Sequence, residues 1–395
     1  MIAKRMINLV EKNSVIREMF EEGKKLSDLY GPENVFDFSL GNPSVPAPEK
    51  VKESIKKIVD TEDPLVIHGY MNNAGFEDVR DAISKSINKK YGTNFTYDNL
   101  IMTVGAASGL NIILKSILNP NEEVLTFAPY FVEYNSYVEG YGGKLKIVSP
   151  NLENFEPNLK ELEEKITPNT RALIINTPNN PTGVIYSEET IKEIAEILNK
   201  KQKQYNTQIF LISDEPYREL AYDGIEVPYV TKYYKNTFVV YSFSKSLSLP
   251  GERIGYVVVP SEMDDSENII TAITIANRVI GSVNAPSLLQ KVVMNCLDIS
   301  PDLETYDRNR NLLYNELKNY GFECIKPQGA FYLFVKSPIE DEKEFCNIAK
   351  KYNILFVPGS SFACPGYVRI AYCVSTDMIK RSLPKFKLLA EETIK

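Results

Sequence analysis

Between Asn99 and Tyr256, short apolar runs rich in β-branched residues alternate with segments of helical character. The runs read LIMTV, EVLTF, RALII, IFLIS, FVVYS and GYVVV. This alternation is typical of a mostly parallel sheet covered by helices, because parallel strands need crossover connections. After about Gly281 the pattern changes to long amphipathic helices and the strands FYLFV, ILFVP and YVRIAY, which predicts a second, smaller α+β domain.

The predicted fold class is therefore α/β, with a large domain built on a mostly parallel sheet and a smaller α+β domain. A length of 395 residues allows two or three domains, and 43% hydrophobic residues supply a full core. We expect residues 1–45 to form an N-terminal arm and part of the small domain. Residues 46–285 are expected to form the large, ligand-binding domain, and residues 286–395 the C-terminal small domain.

Charge and cysteine content exclude several classes of protein. The net charge of −7 argues against a broad basic surface for nucleic acid or an anionic membrane. The cysteines are odd in number and lack C-x-x-C spacing, which favours reduced, buried thiols. They are Cys296, Cys324, Cys346, Cys364 and Cys373.

The N-terminal segment and the single histidine narrow the choice further. The first 31 residues mix charges into apolar positions at helical spacing, so we expect neither a secretory signal nor a membrane span. A cytoplasmic protein is expected. His68 has no second histidine to join it, which argues against a zinc site or a Ser-His-Asp centre, and we expect no metal.

Polar motifs follow four of the predicted strands. TVGAASGLN, INTPNNPTG, ISDEPY and SFSKSLSLPGERIGY each begin where an apolar run ends. Ligands of open α/β sheets bind beside the carboxyl ends of the strands. The four motifs are therefore predicted to surround one ligand site.

Five residues of these motifs form the set that pyridoxal 5'-phosphate requires. The amine of Lys245 can condense with the cofactor aldehyde, and a nearby guanidinium and a partly dry pocket favour its neutral form. Asp214 facing the pyridine nitrogen keeps the ring an electron sink. Hydrogen bonds from Tyr217 and Asn180 to the phenolic oxygen stabilise its anion, and Arg253 offers charge to the phosphate.

The cofactor phosphate needs several further donors. Side-chain hydroxyls and the amides of a helix start can supply them. The candidates beside Arg253 are Ser242, Ser244, Gly105, Ala106 and Ala107.

Over nearly its whole length the chain resembles fold-type I, class I and II pyridoxal-phosphate aminotransferases, similar to aspartate and aromatic aminotransferases. The most specific match is S-x-S-K, followed eight residues after the lysine by an arginine, with NTPNNPTG and DEPY in the family's order. The resemblance implies that Lys245 is both the Schiff-base residue and the proton shuttle. It also makes Asp214 the pyridine partner, and Asn180 and Tyr217 the phenolate partners.

Other motifs extend the resemblance. HGYMNNAGF implies that Tyr70 reaches the phosphate of the neighbouring subunit, and PGYVRIAY implies that Arg369 holds the substrate α-carboxylate. In FSLGNP, Gly41 matches a glycine at the substrate, although a simple turn explains it equally well. PQGAFYLF resembles a structural hairpin of the small domain.

Three stretches depart from the family pattern or match it only with a gap. Phe131 stands where many relatives place a tryptophan or tyrosine that stacks on the cofactor, and Ala107 where relatives often have a phosphate-binding side chain. Asn284, with Ser282, resembles a loop near the phosphate of the other subunit. Arg278 lies close to the position of a second arginine in dicarboxylate-specific relatives.

The function implied is transamination between an L-amino acid and a 2-oxo acid, in a homodimer because Tyr70 and Asn284 act across subunits. One alternative is β-elimination from sulfur amino acids, or another carbanion reaction, at the same site. A remote alternative is a non-enzymatic regulator, but such proteins add a DNA-binding domain, and this chain is expected to begin almost directly with the aminotransferase helix. A dinucleotide fold is disfavoured because GAASGLN lacks G-x-G-x-x-G spacing.

Overall fold

The structure is a computed structural model that describes residues 2–3, 6–7 and 15–394. The strands are β1 (Phe36–Asp37), β2 (Leu100–Thr103), β3 (Glu123–Phe127), β4 (Lys144–Val148), β5 (Thr170–Asn176), β6 (Phe210–Asp214), β7 (Thr237–Ser242), β8 (Gly255–Val258), β9 (Tyr332–Lys336), β10 (Ile354–Leu355), β11 (Val357–Pro358) and β12 (Tyr367–Ala371). The helices are α1 (Val15–Tyr30), α2 (Glu49–Thr61), α3 (Pro64–Ile67), α4 (Glu77–Tyr91), α5 (Gly105–Ile117), α6 (Glu133–Gly140), α7 (Leu159–Lys165), α8 (Glu188–Tyr205), α9 (Phe243–Ser246), α10 (Ser266–Val279), α11 (Ser287–Met294), α12 (Leu303–Asn319), α13 (Glu342–Lys350) and α14 (Thr376–Thr393).

A seven-stranded sheet forms the larger part of the molecule, with the strand order β2-β8-β7-β6-β5-β3-β4. The strands from β7 to β4 run parallel, and β8 is antiparallel to both of its neighbours. All six apolar runs between Asn99 and Tyr256 form strands of this sheet, which confirms the predicted α/β class. The parallel order brings the carboxyl ends of β5, β6 and β7 to one edge.

The edge strand β4 was not among the predicted strands. Its residues alternate between exposed and half-buried positions, and Lys144 and Lys146 lie on its exposed face. Lysines are common on edge strands because they prevent pairing with another chain. The charge that protects this edge also removes the apolar run by which the other strands are recognised.

Two smaller sheets are built from the chain termini. β11, β12 and β9 form an antiparallel three-stranded sheet, and β1 pairs in parallel with β10. The predicted single strand ILFVP is wrong, because it divides at the buried Phe356 into β10 and β11, which belong to different sheets. The division lets one short segment pair with the N-terminal β1 and with β12.

The small sheet and the segment after β6 share one hydrophobic core. Tyr217, Leu220 and Tyr222 follow β6 and pack in the same cluster as Phe331 and Val368 of the small-sheet region. Helices α12 and α14 pack together over this core. The shared cluster fixes the small sheet against the carboxyl edge of the large one.

Peripheral helices cover the remaining surfaces. Helix α1 contacts β11, and α11 packs against α2 and α4. The predicted domain boundaries at residues 45 and 285 stay predictions. In the part of the chain that the structure describes, no helix combines the length and apolar character needed to cross a membrane.

Candidate active site

A cavity of about 300 Å³ lies between the carboxyl edge of the large sheet and the small sheet. Its lining comes from the ends of β5, β6 and β7, the start of α5, and the strands β9 and β12. The structure brings together at this cavity the following predicted residues: Gly41, Ala106, Ala107, Phe131, Asn180, Asp214, Tyr217, Ser242, Ser244, Lys245, Arg253 and Arg369.

Lys245 lies in the one-turn helix α9, directly after β7. Ser242 caps this turn by accepting a hydrogen bond from the amide of Ser244 at 3.2 Å. The Nζ of Lys245 donates to the carbonyl oxygen of Gly41 at 2.7 Å and lies 5.2 Å from the ring centroid of Phe331. Burial lowers the pKa of Lys245 to about 8. The lysine can therefore lose its proton near neutral pH and act as a nucleophile or base.

Asp214 is the last residue of β6, and it is buried. Tyr134 donates a hydrogen bond to its Oδ2 at 2.6 Å, whereas its Oδ1 is buried without a hydrogen-bond partner. Burial raises the pKa of Asp214 to about 7, although the bond from Tyr134 acts in the opposite direction. A buried carboxylate oxygen without a partner is costly, so Oδ1 fits a ligand that brings a proton donor.

Arg369 lies in the middle of β12 and is 3% exposed. Its Nη1 donates to the Oδ1 of Asn180 at 3.0 Å, and its Nη2 donates to the carbonyl oxygen of Ser39 at 2.5 Å. Its Nε is buried without a partner. The guanidinium is thus held in place while its Nε–H has no partner, so it can still donate to a carboxylate ligand.

Tyr217 and Tyr332 meet through their hydroxyl groups, whose oxygens are 2.8 Å apart. Tyr217 follows β6 and Tyr332 begins β9, so the contact joins the two parts of the cavity wall. The ring of Tyr332 also lies beside Arg369, with 4.6 Å from the guanidinium carbon to the ring centroid.

The start of α5 forms one corner of the cavity beside Arg253. The hydroxyl oxygens of Ser242 and Ser244 are 2.7 Å apart in the same wall. Gly105 has a φ of +75°, and a Cβ there would lie 2.6 Å from Nη2 of Arg253. Glycine adopts this φ without strain and lets the guanidinium lie against the helix start, so amides, hydroxyls and a cation converge as a phosphate requires.

Other predicted residues lie away from this cavity within one chain. Tyr70 is 94% exposed, and Arg278 is exposed on α10. Asn284 donates through Nδ2 to the carbonyl oxygen of Asn72 at 2.8 Å, which ties it to the loop after Tyr70. Ser282 does not line the cavity either.

Three residues of the site were missed by the sequence reasoning. Tyr134 follows Phe131 by three residues and contacts its ring, and its hydroxyl holds Asp214 from behind the cavity wall. Asn176 donates through Nδ2 to the main-chain oxygen of Asp214 at 2.8 Å. Tyr332 belongs to the predicted structural hairpin but lines the cavity, and no local signal distinguishes it from a core tyrosine.

Comparison with known proteins places this geometry in a family. The sequence pattern of the family described as aminotransferase class I and II matches residues 33–386. The chain belongs to the class I and II aminotransferases. This aminotransferase is 48% identical to an aminotransferase of Eubacterium rectale, whose crystal structure superposes with a TM-score of 0.97 and covers 100% of this chain and 99% of that one.

Two curated relatives of the aminotransferase cover almost its full length. An aspartate aminotransferase of Pyrococcus horikoshii is 31% identical over an alignment of 405 positions, which covers 99% of this chain and 97% of the relative. Aromatic-amino-acid aminotransferase 2 of Thermococcus litoralis is 31% identical over 382 residues, 94% of this chain and 96% of its own. The chain is a pyridoxal phosphate-dependent aminotransferase, which confirms the predicted family, cofactor and reaction class.

The residues of the cavity fit this cofactor. The unpartnered Oδ1 of Asp214 can accept the N–H of a protonated pyridine ring. The lowered pKa of Lys245 suits an amine that must condense with an aldehyde. The corner made by Gly105, Ser244 and Arg253 has the donors and the space for a phosphate group.

Proposed function

We propose that this aminotransferase works through Lys245, which holds pyridoxal phosphate covalently through Nζ and moves the substrate's α-proton. The observation that carries the proposal is the pairing, in one cavity, of a lysine with a pKa of about 8 and a buried carboxylate oxygen without a partner. A lysine with a purely structural role would need neither a lowered pKa nor a neighbouring buried carboxylate oxygen that lacks a partner.

The cofactor and its partners divide the chemistry. When bound, pyridoxal phosphate supplies the electron sink that stabilises negative charge at the substrate's α-carbon. Asp214 would hold a proton on the pyridine nitrogen through its unpartnered Oδ1, while Tyr134 fixes the carboxylate through Oδ2. Asn180 and Tyr217, which line the same cavity, would donate hydrogen bonds to the phenolic oxygen and stabilise its negative charge.

The phosphate is assigned to the corner at the start of α5. The amides of Gly105, Ala106 and Ala107 and the hydroxyls of Ser242 and Ser244 donate hydrogen bonds there, and Arg253 neutralises the charge. Phe131 also lines the cavity, and its ring is assigned to stacking on the cofactor ring.

Arg369 is assigned to the substrate's α-carboxylate. Its position is set by Asn180 and Ser39, so the guanidinium does not have to reorganise when a carboxylate arrives. Gly41 takes part through its backbone, whose carbonyl oxygen accepts a hydrogen bond from Lys245. Once the substrate's amino group has displaced Nζ of Lys245 from the cofactor, the freed neutral amine would take the proton from the substrate's α-carbon as a general base and hold it as an ammonium group.

We also propose a homodimer in which Tyr70 completes the partner's phosphate site, with Asn284 beside it. Tyr70 is 94% exposed and lies near Leu65, which is 84% exposed, and Val66. Exposed apolar side chains of this size favour a protein interface. Sedimentation equilibrium should give a dimer mass, and Tyr70→Phe should weaken cofactor binding.

A cytoplasmic location is proposed as well, because all five cysteines are free thiols.

The experiment that tests the proposed function is a half-reaction screen. The holoenzyme is mixed with each of the twenty amino acids without an oxo acid, and conversion of the cofactor to its amine form is followed by absorbance. Aspartate and aromatic amino acids are tried first, because named relatives use them. At least one amino acid should convert the cofactor in the wild type and none in Lys245→Ala. Failure of all twenty contradicts the proposal, and pyruvate released from cystathionine would indicate β-elimination instead.

A further inference from the structure

Tyr332 lies where the substrate side and the cofactor side of the cavity meet. In the pairing of β9 with β12, Tyr332 is opposite Ala371 and Phe334 is opposite Arg369. Tyr332 and Arg369 therefore project from the same face of the sheet as diagonal neighbours. The guanidinium carbon of Arg369 is 4.6 Å from the ring centroid of Tyr332, within the range of a cation–π contact.

The hydroxyl of Tyr332 faces the other way, towards Tyr217. The two oxygens are 2.8 Å apart, and the rings meet edge to face at 5.7 Å between centroids. Among the described residues neither hydroxyl has a second hydrogen-bond partner. Gly41 makes the approach possible, because a Cβ there would lie 2.0 Å from the hydroxyl oxygen of Tyr332.

Only one of the two tyrosines can donate the shared hydrogen bond. Burial raises the pKa of Tyr332 to about 12, while the charge of Arg369 acts to lower it. Burial raises the pKa of Tyr217 well above its ordinary value, and the contact with Tyr332 raises it further. The other titratable groups near the pair are Lys245 and Cys373. The guanidinium of Arg369 lies against the ring of Tyr332, and a cation in that position makes the hydroxyl of this ring the better donor, so we assign Tyr332 as the donor and Tyr217 as the acceptor.

We propose that Tyr332 is a positioning residue that donates to Tyr217 and so directs the remaining proton of Tyr217 towards the phenolic oxygen of the cofactor. The ring of the same residue supports the guanidinium of Arg369. A hydroxyl that accepts one hydrogen bond donates a stronger one, because hydrogen bonds in a chain polarise each other. This inference rests on the proposed function, since it needs the cofactor beside Tyr217.

The test uses the holoenzyme without substrate and measures the pH midpoint of its visible absorbance change. Loss of the bond from Tyr217 raises this midpoint, because the phenolic oxygen loses stabilisation of its anion. We expect a rise of about one pH unit for Tyr217→Phe and of about half a unit for Tyr332→Phe. The control is Tyr222→Phe, which removes a buried hydroxyl that donates to Ala330 at 2.6 Å and should leave the midpoint unchanged.

The double variant decides whether Tyr332 acts through Tyr217. Tyr217→Phe/Tyr332→Phe should have the same midpoint as Tyr217→Phe alone. An unchanged midpoint in Tyr332→Phe overturns the proposal. So does a double variant whose midpoint is shifted by the sum of the two single-variant shifts. If the wild type shows no pH-dependent visible band, the proposed function itself is wrong and both proposals fall together.

Two further readouts do not depend on turnover. In the apoprotein, thermal unfolding of the two single variants and the double variant should show coupling between Tyr217 and Tyr332, and strict additivity would contradict their hydrogen bond.

Binding of a carboxylate inhibitor to the holoenzyme tests the contact between the ring of Tyr332 and Arg369. Tyr332→Phe should bind it as the wild type does, whereas Tyr332→Leu should bind it about threefold more weakly. Equal binding by both variants would contradict the support of Arg369.

Discussion

The two walls of the active site are built in different ways. On the cofactor wall, Asp214 is the last residue of the parallel strand β6, and Lys245 lies in the one-turn helix α9 that follows β7. On the substrate wall, Arg369 and Tyr332 lie within regular antiparallel strands. The cofactor wall carries a lysine and a carboxyl group whose pKa values are shifted to about 8 and about 7, whereas the substrate wall carries a guanidinium already held by carbonyl and amide oxygens.

This difference indicates a division of labour. Groups whose pKa lies near neutral pH can exchange protons or form covalent bonds, so replacing them should impair turnover or cofactor binding. A fixed guanidinium acts by orientation, so replacing it weakens substrate recognition and leaves the cofactor in place. Variants of the cofactor wall should therefore change turnover and cofactor binding, whereas variants of the substrate wall should change substrate binding.

The largest effect is expected for Lys245→Ala. Without Nζ the chain has no covalent link to the cofactor and no base at the α-carbon, and kcat should fall by at least about 10⁴-fold. A coupled assay for the oxo acid product measures it. Lys200→Ala, which removes an exposed lysine paired with Glu163, is the control and should be unaffected. Turnover of Lys245→Ala at the rate of the control would refute the role of the lysine.

Arg369→Lys should separate the two walls most clearly. Lysine keeps the charge but loses the planar fork, so kcat/KM for amino acids should fall by about 10²-fold. Cofactor content, measured by absorbance, should stay at the wild-type level. Arg308→Lys, at an exposed position on α12, is the control. A loss of cofactor with unchanged kinetics would show that Arg369 holds the cofactor and not the substrate carboxylate.

Asp214→Asn should weaken cofactor binding. A hydrogen bond to a charged group contributes about 1.5–3 kcal/mol, so the cofactor Kd should rise by about 10- to 100-fold. Fluorescence titration of the apoprotein measures it. Asp60→Asn, at an exposed position on α2, provides the control. An unchanged Kd would remove Asp214 from the cofactor site.

The same variant makes a prediction for the stability of the apoprotein. The pKa of Asp214 is raised from its ordinary 3.8 to about 7, so burying the ionised carboxyl costs stability. This cost is absent below pH 3.8, grows as the pH rises to about 7 and is then constant. Asp214→Asn should therefore raise the Tm of the apoprotein at pH 8 and not at pH 3.5. A Tm difference independent of pH would show that the carboxyl is not perturbed.

Ser244→Ala should have the smallest effect of the set. It removes one hydroxyl donor from the phosphate corner, where a neutral hydrogen bond contributes about 0.5–1.5 kcal/mol, so the cofactor Kd should rise by about two- to tenfold. With saturating cofactor, kcat should be unchanged. Ser116→Ala, whose hydroxyl bonds within α5, is the control. A large fall in kcat would show that the corner does more than hold the phosphate.

The contrast between the walls also explains what the sequence could reveal. The cofactor wall was predicted because S-x-S-K, DEPY and NTPNNPTG are locally distinctive and follow apolar strands. On the substrate wall, Arg369 was found only through its family motif, and Tyr332 was taken as structural. The role of Tyr332 depends on its contacts with Tyr217, which is 115 residues away in the chain, and with Arg369, which lies on the neighbouring strand β12. Strand β4 was missed because exposed lysines interrupt its apolar pattern.

All the roles assigned to the cofactor wall depend on covalent attachment of the cofactor to one lysine. Borohydride reduction of the holoenzyme followed by peptide mass mapping tests it directly. The mass of a pyridoxyl phosphate adduct should appear on the peptide that contains Lys245 and on no other lysine. An adduct elsewhere in the chain, or none at all, would show that Lys245 does not hold the cofactor.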